Sequence, residues 1–513
     1  MTPMVFLAEL DLESPEHEPV TLYLSDVAMS PFPPDDPDRP NQVYDDRLAE
    51  PPGYEWSVSA EIATAPPSIG AGSLVIRNAD GAITAYRDHL WLRARLYWGP
   101  AGAAFAAFQP FLTGRLAPPR WALSATQPSR VTVDLMDLRA ALQDDIQTTV
   151  FAGTNVGAEG YEGLEADLAG QPKPLAFGDL TEAGVPAIWA NGPRKVVQLH
   201  DGPIEAVLGI RHMGEDAGLA DGGDHAGAAF DALTGADGYF ATDLGRGLVM
   251  TTAALPGVVT FSLQGDAAGG YVDTAPAIIR RLIEQALGED AAFSPDWDDF
   301  AAPAKVGLYL SAPTSRLDAI DRLARSFGGW ALPDQLGRWR LGRLAAPAGP
   351  ADDTWGEDDF VSLDADGQSF NPVSRLTVLY AENYRPLAEA EIAGVVSETE
   401  PPLAAALKQR WRRAVAEAPS AARWAGHRQV EMETCLREAA DAQALASALL
   451  PALDAPRESL RVAVTMTPAR LALAPWATIR LIYPPQGLDR LYALAGVSVA
   501  TPNRGLMTAL LWG

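Results

Sequence analysis

The histidines are the residues most able to bind a metal or to move a proton. There are six, and none stands in the H-E-x-x-H spacing that places metal ligands on one helix face. One stretch still gathers several ligand types, because His212 and His225 flank four carboxylates, Glu215, Asp216, Asp221 and Asp224. Glycines between them would hold a cation loosely, so we favour a flexible acidic surface loop over a metal site.

Carboxylate pairs could act as acid and base on a glycosidic bond, which needs two carboxyl groups about 5–10 Å apart. Adjacent acids occur at Asp298-Asp299 and at Glu357-Asp358-Asp359, but in a chain with 66 acidic residues solvated turns are favoured. The sequence has no G-x-S-x-G, no G-x-x-x-x-G-K-[ST] and no G-x-G-x-x-G after a strand. We therefore predict a protein that is not an enzyme, with no catalytic residue, no cofactor and no metal.

Aromatic and basic residues offer binding chemistry instead. Six of the thirteen tryptophans lie on predicted strands, where a half-buried sheet face is favoured over a sugar-stacking platform: Trp91, Trp98, Trp121, Trp330, Trp339 and Trp476. The only locally positive stretch is "KQRWRRAVAEAPSAARWAGHR", residues 408–428. It could contact an acidic neighbouring subunit, although a solvated helix face is favoured.

The decapeptide "GQPKPLAFGD", residues 170–179, packs two prolines around Lys173 and ends close to Gly178. A phosphate-binding loop needs consecutive free amide N–H groups, and Pro172 and Pro174 each remove one. Both prolines also force extended geometry on the residue before them. We therefore predict a rigid corner, in which Lys173→Ala changes little and Gly178→Val disturbs folding or assembly.

Composition indicates the elements that must position these residues. With 513 residues the chain is long enough for three or four packed units, and 45 glycines and 42 prolines favour turns and strands over long helices. A net charge of −27 repels phosphate backbones, so nucleic acid is not a bound ligand, although such a wall would let DNA slide past it. Cys435 is the single cysteine, which excludes an intramolecular disulfide and favours a cytosolic origin. We also expect no secretory signal and no membrane-spanning helix.

Hydrophobic periodicity predicts a fold that is mainly β with α+β portions. A hairpin is expected in "SLVIRNADGAITAY" around Asp80-Gly81, and a strand at 90–98 that turns Leu92, Ala94, Leu96 and Trp98 to one face. Helices are expected in "DTAPAIIRRLIEQALG" and "TSRLDAIDRLARSFGGW", followed by a hairpin in "GWALPDQLGRWRLGRL". The chain should end with the helix "CLREAADAQALASALLPAL" and three strands.

Four domains are expected from these elements. They are an N-terminal β domain at 1–150, a Gly/Pro-rich β segment with a surface insert at 151–265, an α+β helix-hairpin domain at 266–350 and a C-terminal β-barrel domain with a helix at 351–513. The insert, at about 214–238, has no assigned role.

The order of several motifs resembles a known family. "GQPKPLAFGD" followed by "VVQLHDGPIEAV" resembles a G-x-P-K-P-x-x-x-G … Q-x-H-D-G-P-I signature of a tail protein of long-tailed bacteriophages and related prophages. "LVIRNADGAIT", "FLTGRL", "VTVDLMDLRAAL", "RLTVLYAENY" and "GLMTALLWG" are similar to that family in the same order. The resemblance implies a tail-tip or baseplate hub with tube-like β-barrel domains at both ends of the chain, and it brings no catalytic residues.

The resemblance also implies partners and a location. A hub would form a homotrimer and would join the tail tube and distal tail proteins to tip or fibre proteins. It would also hold the end of the tape-measure protein, pass genomic DNA as cargo and contact the host envelope only indirectly. It would be assembled in the bacterial host cytoplasm and reside in the virion. The alternatives are a peripheral distal-tail or receptor-binding subunit that contacts host-surface glycans through its tryptophans and, less favoured, a cell-wall hydrolase.

Overall fold

Strands dominate the molecule, with 44% of residues in strands and 17% in helices, arranged in several sheets of which one is nearly closed into a barrel. The computed structural model describes residues 4–61, 67–122, 129–136, 139, 142–157, 159–234, 238–502 and 505–513, without the side chains of residues 71 and 366–370. The prediction of a mainly β, multidomain protein is confirmed.

The N-terminal part consists of eleven strands. They are β1 Met4–Glu13, β2 Pro19–Ser25, β3 Asp45–Asp46, β4 Leu48–Glu50, β5 Tyr54–Ser57, β6 Ser68–Ala71, β7 Ser73–Arg77, β8 Leu90–Pro100, β9 Gln109–Leu116, β10 Arg120–Ala122 and β11 Arg130–Met136. Nine of them form one sheet in the order β3-β2-β1-β8-β9-β11-β7-β4, with β10 paired to β11. Strands β5 and β6 belong to a different sheet.

Two predictions in this part are wrong in detail. The expected hairpin at residues 73–86 is strand β7 followed by a 3₁₀ helix, Ala82–Tyr86, which places Ile83 in the core as a helical residue. Gly81 does adopt the positive φ expected of the turn, 76°. In β8 the register against β1 shifts between Asp11 and Leu12, so Trp91 is buried and Leu92 is exposed, the reverse of simple alternation.

The middle of the chain contains two five-stranded sheets and a hairpin. Its strands are β12 Thr154–Val156, β13 Glu159–Leu164, β14 Leu175–Pro186, β15 Ile188–Asn191, β16 Val196–Gln198, β17 Ile204–His212, β18 Glu215–Asp216, β19 Ala220–Asp224, β20 Tyr239–Asp243, β21 Leu248–Thr251, β22 Val259–Asp266 and, further along the chain, β24 Gly307–Leu310. One sheet has the order β18-β17-β22-β14-β24 and the other β15-β16-β21-β20-β19, while β12 pairs with β13. Strand β14 lies between β22 and β24.

The predicted insert contains regular structure. Strand β19 pairs in parallel with β20, and a one-turn helix, α1 Ala228–Asp231, buries Phe230 completely. Residues 235–237 lie outside the described residues. The expectation of a flexible loop is therefore wrong for the part described, because Phe230 anchors it to a small core with Val196, Leu248 and Met250.

The two helices of the α+β portion and its hairpin are confirmed. The elements are α2 Ala275–Leu287, β23 Ala292–Phe293, α3 Arg316–Arg325, β25 Gly329–Pro333 and β26 Arg338–Arg343. The Ser315 side chain caps α3 by accepting from the amide of Asp318, and Gly328 follows the helix with φ 71°. Both helices bury one apolar face.

The C-terminal part adds nine strands and four helices to the described fold. They are β27 Asp353–Trp355, β28 Phe360–Phe370, β29 Val373–Tyr380, α4 Gly394–Thr399, α5 Pro401–Leu407, β30 Arg412–Glu417, β31 Arg428–Glu433, α6 Ala439–Leu453, β32 Arg457–Thr465, α7 Pro468–Leu471, β33 Thr478–Tyr483, β34 Leu488–Val499 and β35 Leu506–Trp512. Helix α6 is confirmed, but the end of the chain has four strands, because "WATIRLIYPPQGLDRLYALAGVSVA" folds back on itself as the β33–β34 hairpin.

The two ends of the chain meet in one sheet. Its path is β27-β33-β34-β35-β32-β28, and β5 joins it by pairing antiparallel with β34, from Ser57 opposite Gly496 to Tyr54 opposite Val499. One hydrophobic core contains residues of both ends, among them Phe6, Phe111, Trp355, Leu494 and Leu511. The domain boundaries near residues 150, 265 and 350 stay predictions of the sequence.

In the described part of the chain, no helix is long and apolar enough to cross a membrane.

Candidate functional site

Strand β14 begins inside the "GQPKPLAFGD" motif, at Leu175, and it changes its pairing partner before the motif ends. Residues Leu175 to Gly178 pair with β24, and the pairing with β22 begins at Asp179. Gly178 has φ 69°, and a Cβ at this position would overlap the carbonyl oxygen of Val306 and lie 3.1 Å from its carbonyl carbon. The segment predicted as a rigid corner therefore contains a transition inside a strand, and the change of partner is what requires glycine.

The proline segment before β14 is held by backbone contacts. Pro172 forms an isolated bridge with Val150, and the amide of Lys173 donates to the carbonyl of Thr149 at 3.0 Å. The Lys173 ammonium binds Glu162 at 2.8 Å and lies 5.5 Å from the centre of the Phe151 ring. Lys173 thus has partners within the chain, as expected of a structural residue.

The second motif, "QLHDGP", packs against the first. The amide of Ala176 donates to Nδ1 of the buried His200 at 2.9 Å, and the amide of Asp201 donates to the carbonyl of Pro174 at 2.8 Å. Because Nδ1 accepts a hydrogen bond, the ring carries its proton on Nε2, which faces Asp266 at 3.7 Å. The residues that separate the two motifs in sequence therefore return the chain to the same strand.

Asp266, at the end of β22, is the buried acid of this group. It accepts from the Arg281 guanidinium of α2 at 2.7 Å and from the amide of Ala268 at 3.0 Å. Burial raises the pKa of Asp266, but the interactions with His200, Arg281 and the Ala268 amide outweigh it and hold the pKa below its ordinary value. The carboxylate is therefore ionised at neutral pH and links β22 to α2.

The third motif, "LYAENY", reaches β14 from the other side. The amide of Tyr384 donates to the carbonyl of Ala183 at 2.8 Å, and its hydroxyl accepts from the amide of Tyr309 at 3.0 Å and donates to the carbonyl of Gly307 at 3.2 Å. Its ring packs edge-on against Tyr309, 5.5 Å between centroids. Tyr384 therefore holds both β14 and β24.

Glu382 is a buried charge of this motif. Its carboxylate accepts from Arg322 of α3 at 3.0 Å and from Arg410 at 2.9 Å, and its own carbonyl accepts from Arg437 at 3.1 Å. Two guanidinium groups compensate the buried carboxylate, which is the condition for such a charge to be tolerated. Sequence reasoning missed this group, because residues 322, 382, 410 and 437 are far apart and no short pattern joins them.

A cleft lies beside this junction, with a volume of about 240 Å³. Its walls come from β14, β17, β22, α5 and the segments that flank β29 and β31. Two lining residues, Glu182 and Ala381, have positive φ values of 52° and 49° although neither is glycine. Such backbone strain is concentrated at ligand and switch sites in proteins, which makes this cleft the candidate binding site.

The histidine and acidic cluster does not converge. His212 Nε2 contacts the carbonyl of Pro256, His225 Nε2 lies 3.1 Å from the carbonyl of Gly222, and the side chain of Asp221 accepts from the amide of Gly223 at 2.8 Å. Within the described residues, no group of three or more His, Cys, Asp or Glu side chains could hold a metal ion.

In each candidate group of hydrolase carboxylates, one acid is bound to an arginine. Asp298 pairs with Arg280 at 2.7 Å, and Asp359 accepts from Arg470 at 2.6 Å and from the amide of Gly356 at 2.8 Å. These hydrogen bonds, that of Gly356 first, lower the pKa of Asp359, which disfavours the protonated form that a general acid needs.

Most tryptophans lie in the interior. Eight of the thirteen are buried: Trp56, Trp91, Trp98, Trp297, Trp330, Trp339, Trp355 and Trp512. The predicted strand position of Trp476 is wrong, since it precedes β33, but the other five that were expected on strands lie on them. Trp424 has 53% of its surface exposed, and a single exposed ring makes no stacking platform.

The basic run is a strand, a 3₁₀ turn and a loop rather than a helix face. Helix α5 ends at Leu407, and β30 starts at Arg412 as an edge strand of the sheet β30-β29-β31. Most of its cations have carboxylate partners in the chain: Lys408 with Glu389, Arg410 with Glu382, Arg413 with Glu431 and Arg428 with Glu61. The Arg412 backbone pairs with Tyr380 in the β29–β30 ladder, but its side chain forms no hydrogen bond or ion pair among the described residues.

Comparisons with known proteins give a fold likeness at low similarity. No protein-family model matches the chain, and no curated protein matches it. Solved structures that are similar over nearly the whole length include three tail proteins. The tail protein from Neisseria meningitidis MC58 has a TM-score of 0.42 at 10% identity, with 99% of this chain and 96% of that chain covered.

The other two are also tail proteins. The 43 kDa tail protein of prophage MuSo2 from Shewanella oneidensis has a TM-score of 0.38 at 9% identity, with 98% of each chain covered. Prophage tail protein gp18 from Listeria monocytogenes EGD-e has a TM-score of 0.35 at 9% identity, with 98% of this chain and 94% of that chain covered. Values this low assign no function to the chain.

Proposed function

We propose that the chain is a structural subunit of a bacteriophage or prophage tail, and that it forms the hub at the tail tip that joins the tail tube to the tip proteins. The observation that carries the proposal is the junction on β14. Three motifs resemble the tail family: the one at 170–179 contains the start of this strand, and those at 196–207 and 375–384 form hydrogen bonds to it. Residues that resemble a family signature thus serve to hold sheets together, which is the task of a scaffold.

The chemistry of the polar groups supports a scaffold over an enzyme. The polar side chains of the junction form hydrogen bonds to other groups of the same chain: His200, Asp266, Glu382 and Tyr384. A catalytic residue needs instead to reach a substrate with its reacting atom. The second candidate, a glycan-binding subunit at the periphery, finds little support, since the tryptophans that motivated it are mostly buried.

The two β units favour a ring around an axis. One chain has a nine-stranded sheet at its N-terminus and a second large sheet built mainly from its C-terminal strands. Three copies would supply six such units, which matches the six-fold symmetry of a tail tube in a homotrimer. A net charge of −27 per chain would keep DNA from adhering to the wall of the channel.

Cryo-electron microscopy of tails purified from an induced lysogen tests the proposal. The expected result is three copies of the chain on the tail axis, between the tube and the tip, with the tape-measure protein ending nearby. Copies at the periphery of the tip would support the receptor-binding alternative, and tails that lack the chain by mass spectrometry would refute a role in the virion. Light scattering of the purified chain should give the mass of a trimer.

A further inference from the structure

We propose that the cleft beside β14 is a binding site for a carboxylate group, with Arg412 and Arg437 as the residues that recognise it. The cleft is lined by three arginines, Arg211, Arg412 and Arg437, and by three acids, Asp179, Glu182 and Glu438. These six charged side chains differ in whether a partner within the chain already compensates their charge.

Two of the acids have partners. Glu182 pairs with Arg211 at 3.3 Å, and Asp179 accepts from the amide and hydroxyl of Thr181 and lies 3.7 Å from the Lys305 ammonium. The third acid, Glu438, is exposed to solvent. None of the three forms an ion pair with Arg412 or Arg437 among the described residues.

Arg437 is a half-buried cation whose hydrogen-bond acceptors are neutral carbonyl groups. Its guanidinium donates to the carbonyl of Thr181 at 2.6 Å and to the carbonyl of Glu382 at 3.1 Å, while its Nε is buried without a partner among the described residues. Burial lowers the pKa of Arg437, and the positive charge of Arg412 acts in the same direction, while the Asp179 carboxylate on the cleft wall opposes these effects only in part. An anion in the cleft would offset both effects, because it would stabilise the charged form.

Arg412 supplies the exposed half of the site. It stands on the edge strand β30 and lines the same cleft as Arg437. A carboxylate between the two could accept hydrogen bonds from both guanidinium groups, the geometry in which arginine is selective for planar anions. A cleft of about 240 Å³ has room for such a group with several waters, each about 30 Å³.

Two sources could provide the carboxylate: a small organic acid in solution, or an Asp or Glu side chain of another protein chain in the assembly. The strongly acidic surface of the protein itself offers many such side chains, since 66 residues are Asp or Glu. The ligand chemistry is the same for both sources, so one probe tests the site.

Isothermal titration of the full chain with sodium malonate, at ionic strength held constant with sodium chloride, tests the proposal. We expect binding in the millimolar range, and at least about tenfold weaker binding for Arg412→Gln, as for the loss of a charge-assisted hydrogen bond. Arg413→Gln is the matched control. It removes the same charge from the next residue of β30, whose side chain already pairs with Glu431, and should change the affinity less than twofold.

Sedimentation velocity with and without malonate identifies the source. If an acidic side chain of another copy occupies the cleft, malonate and Arg412→Gln will both weaken self-association, and Arg413→Gln will not. If self-association is unchanged while malonate binds, the carboxylate comes from a different molecule. Heats that do not differ from those of chloride alone, or equal affinities of wild type and Arg412→Gln, would overturn the site without affecting the proposed place of the chain in a tail.

Discussion

Replacing Gly178 by valine tests whether the transition in β14 determines how the middle of the molecule holds together. At φ 69° a β-branched residue costs about 1–3 kcal/mol of backbone strain. The new Cβ would also overlap the carbonyl of Val306, so β14 must move away from β24 and lose about two ladder hydrogen bonds, worth about 1 kcal/mol each. The local stability of this pairing should fall by about 3–5 kcal/mol in total.

Gly170→Val separates the two contributions. Gly170 has a similar φ of 75°, but a Cβ there would meet no atom within 4 Å, so only the backbone strain applies. A second control is Lys173→Ala, which removes a partly exposed ion pair with Glu162 and should cost about 1 kcal/mol or less.

Hydrogen exchange of the peptide 175–180, followed by mass spectrometry, measures the local effect. A difference of about 2 kcal/mol between the two glycine variants corresponds to roughly thirtyfold faster exchange in Gly178→Val. Equal exchange in Gly170→Val and Gly178→Val would refute the reasoning, because it would show that the contact with Val306 carries no cost.

Three further substitutions test the groups around β14. The pKa of Asp266 is depressed in the folded state. The ionised carboxylate therefore stabilises the fold above the pKa of the unfolded chain, near pH 4, and this contribution is lost as the pH falls through the pKa of the folded state. Asp266→Asn should flatten the acid side of a plot of unfolding temperature against pH. Glu382→Gln should lower the free energy of unfolding by about 3 kcal/mol, because two arginines lose a buried counter-charge. The control Glu389→Gln, at an exposed ion pair, should lower it by less than about 1 kcal/mol. Urea unfolding measures both changes. His200→Leu leaves the amide of Ala176 buried without an acceptor and should cost about 1–3 kcal/mol, seen as a lower unfolding temperature, and no change would contradict the assigned hydrogen bond.

Local patterns predicted the elements whose stability is decided locally. Helices α2 and α3 follow from a 3.6-residue apolar repeat and a terminal glycine, with a first-turn proline in α2 and the Ser315 cap in α3, all contained within about fifteen residues. The β25–β26 hairpin follows from alternation on both sides of a short turn. In these segments the sequence pattern and the packing favour the same structure.

Errors arose where a partner strand decides the outcome. Trp91 and Leu92 exchange faces because of an irregularity in the pairing with β1, and nothing in the sequence of β8 itself marks it. The basic run has a helix-compatible composition but becomes the strand β30 because β29 offers an edge. The candidate site was only half predictable: the motifs at 170–179, 196–207 and 375–384 were visible, but the Glu382 ion pairs and the cleft join residues that no spacing rule connects.

The pairing of β5 with β34 has a consequence for how the chain reaches its fold. Ser57 meets its partner, Gly496, only after more than 400 further residues have been synthesised. The β5–β6 hairpin therefore leaves the ribosome long before the strand that completes its sheet, with an open edge and with the apolar side chains of Tyr54 and Trp56 uncovered. Such high contact order slows folding and exposes intermediates to aggregation, so release of the complete chain, rather than growth of its N-terminal part, should limit the appearance of folded protein.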